Sequence, residues 1–217
     1  MALVVFDLDG TLVDSAPDIQ KAANRMLADE GLDPLDLPTI ISFVGNGLPK
    51  LVERVMTRTG LDPARHAELT ALTSAHYNAS PSALTLPYDG VPEALTALQK
   101  AGHSLALCTN KPQEPARAIL KNLKLAHFFE CVVGGDTLPV KKPDPAPLLH
   151  VLEQLGGGTA LYVGDSEVDA ETAVRAKVPF ALFTKGYRKG PVDQIPHQHS
   201  FDAFAKLPDL VNQALAL

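Results

Sequence analysis

Short apolar runs alternate with stretches of helical spacing along most of this chain. Leu3 to Phe6 is apolar, rich in β-branched residues and ends abruptly at charged Asp7, which predicts a strand buried on both faces. Leu105 to Cys108, Cys131 to Val133, Leu161 to Val163 and Phe180 to Phe183 have the same character. Between and beside them, Val91 to Lys100, Pro115 to Leu123, Ala146 to Leu155 and Asp169 to Arg175 carry helical spacing, with prolines near several starts and Gly102 or Gly156 near two ends. Such alternation predicts an α/β fold: a Rossmann-like parallel sheet with helices on both faces.

From Asp14 to about Leu86 the pattern is different, with helical periods following one another and no strand. Ile19, Ala22, Ala23, Met26 and Leu27 make one apolar stripe, and Leu48, Leu51, Val52, Val55 and Met56 make another. A third helix is predicted over Pro63 to Tyr77, and Pro87-Tyr88-Asp89-Gly90 supplies turn chemistry where the alternating pattern resumes. The expected organisation is a discontinuous α/β core of residues 1–13 and 87–217 around an inserted all-helical cap of residues 14–86. A last helix is expected around Asp202 to Leu215.

Composition narrows the class. The 217 residues amount to about 1.4 typical domains, which suits one domain with a smaller companion. With 46% hydrophobic and 20% charged residues the chain is neither disordered nor membrane-spanning in character, and its first apolar run is too short for a secretion signal. Cys108 and Cys131 lack metal spacing, so reduced thiols and a cytoplasmic location are expected. A net charge of −6 without basic blocks disfavours nucleic-acid binding. A small metabolite is the expected partner, with no nucleic acid, no membrane, and a monomer or homodimer as the working state.

The chemistry gathers at predicted strand ends. Asp7-Leu8-Asp9-Gly10-Thr11 follows the first strand, where open α/β sheets bind ligands, and its two carboxylates can serve as nucleophile and as proton donor or acceptor. Thr109-Asn110, Lys141-Lys142-Pro143-Asp144-Pro145 and Gly164-Asp165-Ser166-Glu167-Val168-Asp169 lie on the same edge. An aspartate attacking a phosphoryl group meets an anion, so such a site needs a cation such as Mg²⁺, a lysine and hydrogen-bond donors. Asp7 and Asp165 offer hard oxygen ligands for Mg²⁺, Lys142 offsets carboxylate and phosphate charge, and Thr109 and Asn110 face the phosphoryl oxygens.

At these residues the sequence resembles the haloacid dehalogenase superfamily, whose four motifs all have counterparts here, over essentially the whole chain. The resemblance implies that Asp7 is phosphorylated, that Asp9 is the general acid and base and also gives its backbone carbonyl to Mg²⁺, that Asp165 is a side-chain metal ligand, and that Asp169 orients the metal's surroundings. The proline after Lys142 selects it over Lys141, as in the family motif. A narrower resemblance, to the bacterial phosphoglycolate phosphatases, rests on Phe43-Val44-Gly45-Asn46-Gly47-Leu48, Val13-Asp14-Ser15, Thr109-Asn110-Lys111-Pro112, Gly134-Gly135-Asp136 and the run from Lys142 to Leu148. It implies hydrolysis of 2-phosphoglycolate to glycolate and phosphate. Gly45, Asn46 and Gly47, opening a helix, would then present backbone N–H groups to the substrate carboxylate.

Simpler roles are assigned elsewhere: Ser15 caps the first inserted helix, His197 and His199 are exposed loop residues, Cys108 is a buried inert thiol, and Lys185 to Gly190 is a solvated basic loop. The same motifs also fit a phosphatase of another small phosphate or a phosphomutase of the β-phosphoglucomutase kind. A phospho-accepting receiver module would leave the helical insertion unexplained, and a non-catalytic binding protein would leave the acidic and basic set unused.

Overall fold

The computed structural model describes residues 2–79 and 83–215. Its first half runs β1 (Leu3–Phe6), β2 (Val13–Asp14), α1 (Ala16–Asp29), α2 (Leu37–Phe43), α3 (Leu48–Thr59), α4 (His66–Asn78), β3 (Leu86–Pro87) and α5 (Val91–Lys100). The second half runs β4 (Ser104–Cys108), α6 (Gln113–Asn122), β5 (Cys131–Val133), α7 (Ala146–Gln154), β6 (Ala160–Gly164), α8 (Glu167–Ala176), β7 (Phe180–Phe183), β8 (His199–Phe201) and α9 (Leu207–Leu215).

Six strands form one parallel sheet in the order β5-β4-β1-β6-β7-β8. Counted along the chain this is the doubly wound order, and its direction reverses between β1 and β6, where such sheets open a crevice at their carboxyl ends. The strands read as unbroken apolar runs because alternate residues enter two different cores. Val4, Phe6, Leu107 and Val163 pack with Leu95 of α5, Ile119 of α6 and Val211 of α9. Leu3, Val5, Ala106 and Tyr162 pack on the other face with Leu148 of α7 and Ala170 of α8. Each large apolar side chain buried in this way contributes about 1.5–3 kcal/mol before entropy is counted.

Helices α1 to α4 gather around a third cluster that includes Met26, Leu27, Ile40, Val52, Val55 and Leu69. Sequence explains their limits. Pro17 opens α1, Asp36 caps α2 by accepting from the Thr39 N–H at 2.9 Å, and Gly60 ends α3 in the left-handed conformation. The chain leaves and rejoins the sheet through a two-stranded antiparallel ribbon, Val13 opposite Pro87 and Asp14 opposite Leu86. Buried Asp18 fastens the return: its Oδ2 accepts from the N–H groups of Leu84 and Thr85 at 2.9 and 2.8 Å and from the Thr85 hydroxyl at 2.6 Å.

Several elements differ from the sequence expectation. The ribbon straddles the two ends of the stretch expected to hold only the longer helices, α2 lies within it, and β8 had no apolar run to announce it, since His199-Ser200-Phe201 gains order by pairing with β7. The last helix begins at Leu207, after a 3₁₀ turn at Phe204–Lys206, instead of at Asp202. The third inserted helix likewise starts as a 3₁₀ turn at Pro63–Arg65. Residue 1, residues 80–82 and residues 216–217, which fall in the ranges given above for core and cap, lie outside the described residues. Among the described residues no helix is long and apolar enough to cross a membrane.

Replacing Asp18 by Ala strands three donors at the ribbon, two of them in buried Thr85, and should lower the unfolding free energy by about 3 kcal/mol. Urea unfolding followed by circular dichroism measures this, and an unshifted midpoint would show that Asp18 does not hold the return segment.

Candidate active site

Asp7 is the residue immediately after β1, and its N–H still pairs with the Val163 carbonyl of β6 at 2.9 Å, so the sheet ladder itself sets its position. Asp165 follows β6 directly. The two acids therefore flank the point where the strand order reverses. After Asp7 the chain folds back tightly, with the N–H groups of Leu12 and Val13 both donating to the Leu8 carbonyl and Gly10 at φ +86°. Gly10 has a second reason to be glycine: a Cβ there would collide with the Asp165 carboxylate. Gly186 is confined in the same way, because its Cβ would meet Asp165 and the Gly10 carbonyl.

Lys142 supplies the positive charge at the centre. Its side chain is almost wholly buried, and its Nζ lies 3.0 Å from Asp7 Oδ1 and 2.7 Å from Asp169 Oδ1 while donating to the Tyr162 hydroxyl at 2.7 Å. Burial works against the Lys142 charge, but the Asp169 and Asp7 carboxylates outweigh it and hold its pKa above the ordinary lysine value. Burial would raise Asp169, yet the Lys142 ammonium and hydrogen bonds from Lys142, Ser166 and Tyr162 leave it below the usual carboxylate range. Asp169 Oδ2 also accepts from the Ser166 hydroxyl and N–H, which closes a capping box at the start of α8. Asp169 is thus saturated with donors and held rigid.

Asp7 and Asp165 have the opposite balance. Burial pushes the Asp7 carboxyl up to about 7 despite Lys142, with Asp169 adding to the rise. Burial, followed by the charges of Asp169 and Asp7, pushes Asp165 well above the ordinary aspartate value, although the Thr11 hydroxyl donates to its Oδ1 and the Tyr187 N–H to its Oδ2, both at 2.6 Å. Oxygens of Asp7, Asp165 and Asp169 all lie within 4.8 Å of one another, and the buried Asp7 Oδ1 has no hydrogen-bond donor of good geometry among the described residues. A hard divalent cation fits this donor set, since it takes carboxylate oxygens and relieves the repulsion that raises both acids.

Asp9 points to a different group of residues. Its carboxylate receives Lys111 Nζ at 3.0 and 2.9 Å and the Ser15 hydroxyl at 2.5 Å. Ser15 stands at the N-cap position of α1 but makes no capping bond; its hydroxyl serves Asp9, contrary to the capping role expected from sequence. Lys111 lies over the Tyr77 ring, 4.8 Å from its centre, in a partly apolar wall. Thr109 is buried at the end of β4, where its Oγ1 accepts from the Lys111 N–H at 3.2 Å.

Together Asp7, Asp9, Thr109, Asn110, Lys111, Gly45 and Gly47 line a cavity of about 90 Å³ between the sheet edge and the inserted helices. Two residues expected at the substrate turn their side chains to protein partners. Asn110 does not direct its amide N–H₂ at a ligand, because Nδ2 donates to the Gly45 carbonyl at 3.0 Å and the Lys142 carbonyl at 2.9 Å, tying the inserted loop to the lysine loop. Asn46 turns its side chain to Arg54, whose NH2 donates to Asn46 Oδ1 at 2.9 Å, and it is absent from the cavity wall that Gly45 and Gly47 share.

The segment after β7 is also corrected. Tyr187 is buried, its hydroxyl accepts from the Ala16 N–H at 2.9 Å and donates to Asp14 at 2.6 Å, and its own N–H holds Asp165. A solvated loop could not make those contacts; the one sequence signal was an aromatic residue among lysines. Tyr162 was hidden inside an apolar strand, and its hydroxyl needed a polar partner once buried. Lys141 is exposed and burial pushes the Cys108 thiol up to about 12, as expected, whereas His197 and His199 are half-buried and His199 opens β8, so they are not both exposed loop residues.

The sequence profile described as haloacid dehalogenase-like hydrolase matches residues 4–183. A phosphoglycolate phosphatase of Cereibacter sphaeroides is 51% identical over 215 residues, covering 98% of this chain and 99% of that protein. One of Rhodobacter capsulatus is 44% identical and covers 96% of this chain and 95% of its own length. A crystal structure from Haemophilus somnus 129PT, described as a predicted phosphoglycolate phosphatase, superposes with a TM-score of 0.91 at 31% identity over 96% of this chain and 97% of that one. A profile match over most of the chain, and relatives that share its full length, show that this chain belongs to the haloacid dehalogenase-like hydrolase family and is a phosphoric monoester hydrolase within it.

Proposed function

We propose that this enzyme hydrolyses 2-phosphoglycolate to glycolate and orthophosphate through a phosphorylated Asp7. The observation that carries the reading is the pairing of two differently served aspartates: Asp7 beside Lys142 and Asp165 at the sheet edge, Asp9 beside Lys111 and Ser15 on the cavity side. Relatives named phosphoglycolate phosphatase, alike over nearly the full chain, support the substrate.

In this mechanism an Asp7 carboxylate oxygen attacks phosphorus, and Asp9 gives a proton to the departing glycolate oxygen. Asp9 then takes a proton from water, which attacks the aspartyl phosphate, releases orthophosphate and restores Asp7. Thr109 holds a phosphoryl oxygen, and Lys142 offsets charge on Asp7 and on the phosphoryl group. Mg²⁺ would be held by the Asp7 and Asp165 side chains and the Asp9 backbone carbonyl, with Asp169 fixing the surroundings through Lys142 and Ser166. Bound there, it would neutralise phosphoryl oxygen charge. Residues 14–86 act as a cap that excludes bulk water from residues 1–13 and 87–217, and the small cavity suits a two-carbon leaving group. Two free cysteines accord with a cytoplasmic setting.

Orthophosphate release should be faster from 2-phosphoglycolate than from sugar phosphates or pyrophosphate and should stop when EDTA removes Mg²⁺. Equal rates across the panel would defeat the substrate assignment, and absence of release from every compound would defeat the hydrolytic reading. Asp7→Asn should lower kcat by about 10³-fold or more, and full Mg²⁺-dependent turnover in that variant would refute the covalent route. Lys142→Met leaves buried Asp169 and Asp7 without their cation, so kcat should fall by about 10²–10³-fold and unfolding should shift to lower denaturant.

A further inference from the structure

Lys111 carries the single positive charge among the described residues that line the cavity, while Asp7 and Asp9 bring two negative ones. Its side chain is 8% exposed, and it comes from the loop between β4 and α6, directly before Pro112. The surrounding wall includes Ile19, Leu48, Leu51 and Pro115, which offer no polar groups to an ionic ligand from their side chains. A buried ammonium in such a wall needs acceptors, and Asp9 meets only part of its capacity of three N–H donors. Tyr77 stands beside it. The Tyr77 residue is 8% exposed, and its buried hydroxyl lies against the Lys111 ammonium and finds no acceptor for its own proton among the described residues. The Lys111 ammonium and the unpaired Tyr77 O–H thus share one wall of the cavity, and what complements both is a group with two acceptor oxygens and negative charge.

We propose that Lys111, assisted by the Tyr77 hydroxyl, recognises a carboxylate on the leaving group and so makes this site selective for phosphorylated hydroxy acids of about two carbons. The proposal deepens the function proposed above and rests on its placement of the leaving oxygen at Asp9. Lys111 Nζ is 2.9 Å from Asp9 Oδ2, so an ester oxygen hydrogen-bonded to Asp9 brings a carboxylate two bonds away within reach of the ammonium.

The test compares kcat/KM for 2-phosphoglycolate with that for 2-hydroxyethyl phosphate, which replaces the carboxylate by a neutral CH₂OH of similar size. Any effect of Lys111 exerted through Asp9 lowers both rates alike and cancels in the ratio. The wild-type enzyme should favour 2-phosphoglycolate by about 10²-fold or more, Lys111→Met should reduce that preference by at least about 30-fold, chiefly through KM, and Lys111→Arg should retain most of it. Tyr77→Phe should reduce it by about threefold to tenfold, which keeps the proposal testable should Lys111→Met fold poorly. A preference for 2-phosphoglycolate that survives Lys111→Met or, if that variant does not fold, Tyr77→Phe overturns the carboxylate assignment while leaving the proposed substrate standing. A wild-type enzyme without the preference overturns both.

Discussion

The arrangement of this molecule depends on keeping several carboxylates close together inside a protein. Asp7, Asp165 and Asp169 meet at the carboxyl ends of β1 and β6, where each would repel the others and where burial disfavours their charges. Lys142 answers two of the three directly, and its own burial is tolerable because Asp169, Asp7 and Tyr162 surround its ammonium. What remains is a deficit of positive charge between Asp7 and Asp165. That deficit makes the site receptive to a divalent cation.

Much of the surrounding packing follows from this constraint. Gly10 and Gly186 lack side chains where the backbone presses on Asp165, and the loop after β7 contributes an N–H to the same carboxylate. Tyr187 then continues outward to Asp14 and the first turn of α1, linking the acid to the start of the helical insertion. On the opposite side Asn110 spans from the Lys142 carbonyl to the Gly45 carbonyl. The inserted helices are therefore joined to the charged centre from two directions, by Tyr187 and by Asn110. Displacing either contact would disturb the acid or the lysine as well as the inserted segment.

The two aspartates of the first motif show how one short sequence obtains two environments. Asp7 leaves β1 still paired to β6 and so stays among the buried acids, whereas the tight turn that follows rotates the Asp9 side chain toward Ser15 and Lys111. A lysine and a hydroxyl pair with the Asp9 carboxylate, whereas burial opposes charge on Asp7. Groups with environments this different can divide nucleophilic and proton-transfer work without changing residue type.

By itself the sequence determined the α/β alternation, the helical insertion and the strand-end positions of Asp7, Asp9, Thr109, Lys142 and Asp165, because hydrophobic periodicity and motif spacing are local properties. It also separated Lys142 from Lys141. Tertiary structure alone decided the partners. Ser15 serves Asp9 instead of its helix, Tyr162 receives the Lys142 ammonium, and Tyr187 reaches from the last loops to α1 across more than 170 positions of sequence. Strand β8 exists only by pairing with β7, and the ribbon of β2 and β3 only because distant segments meet. Partnerships of this kind leave no periodic trace, since the energy of a hydrogen bond or ion pair depends on where the chain brings each group and not on its neighbours in sequence.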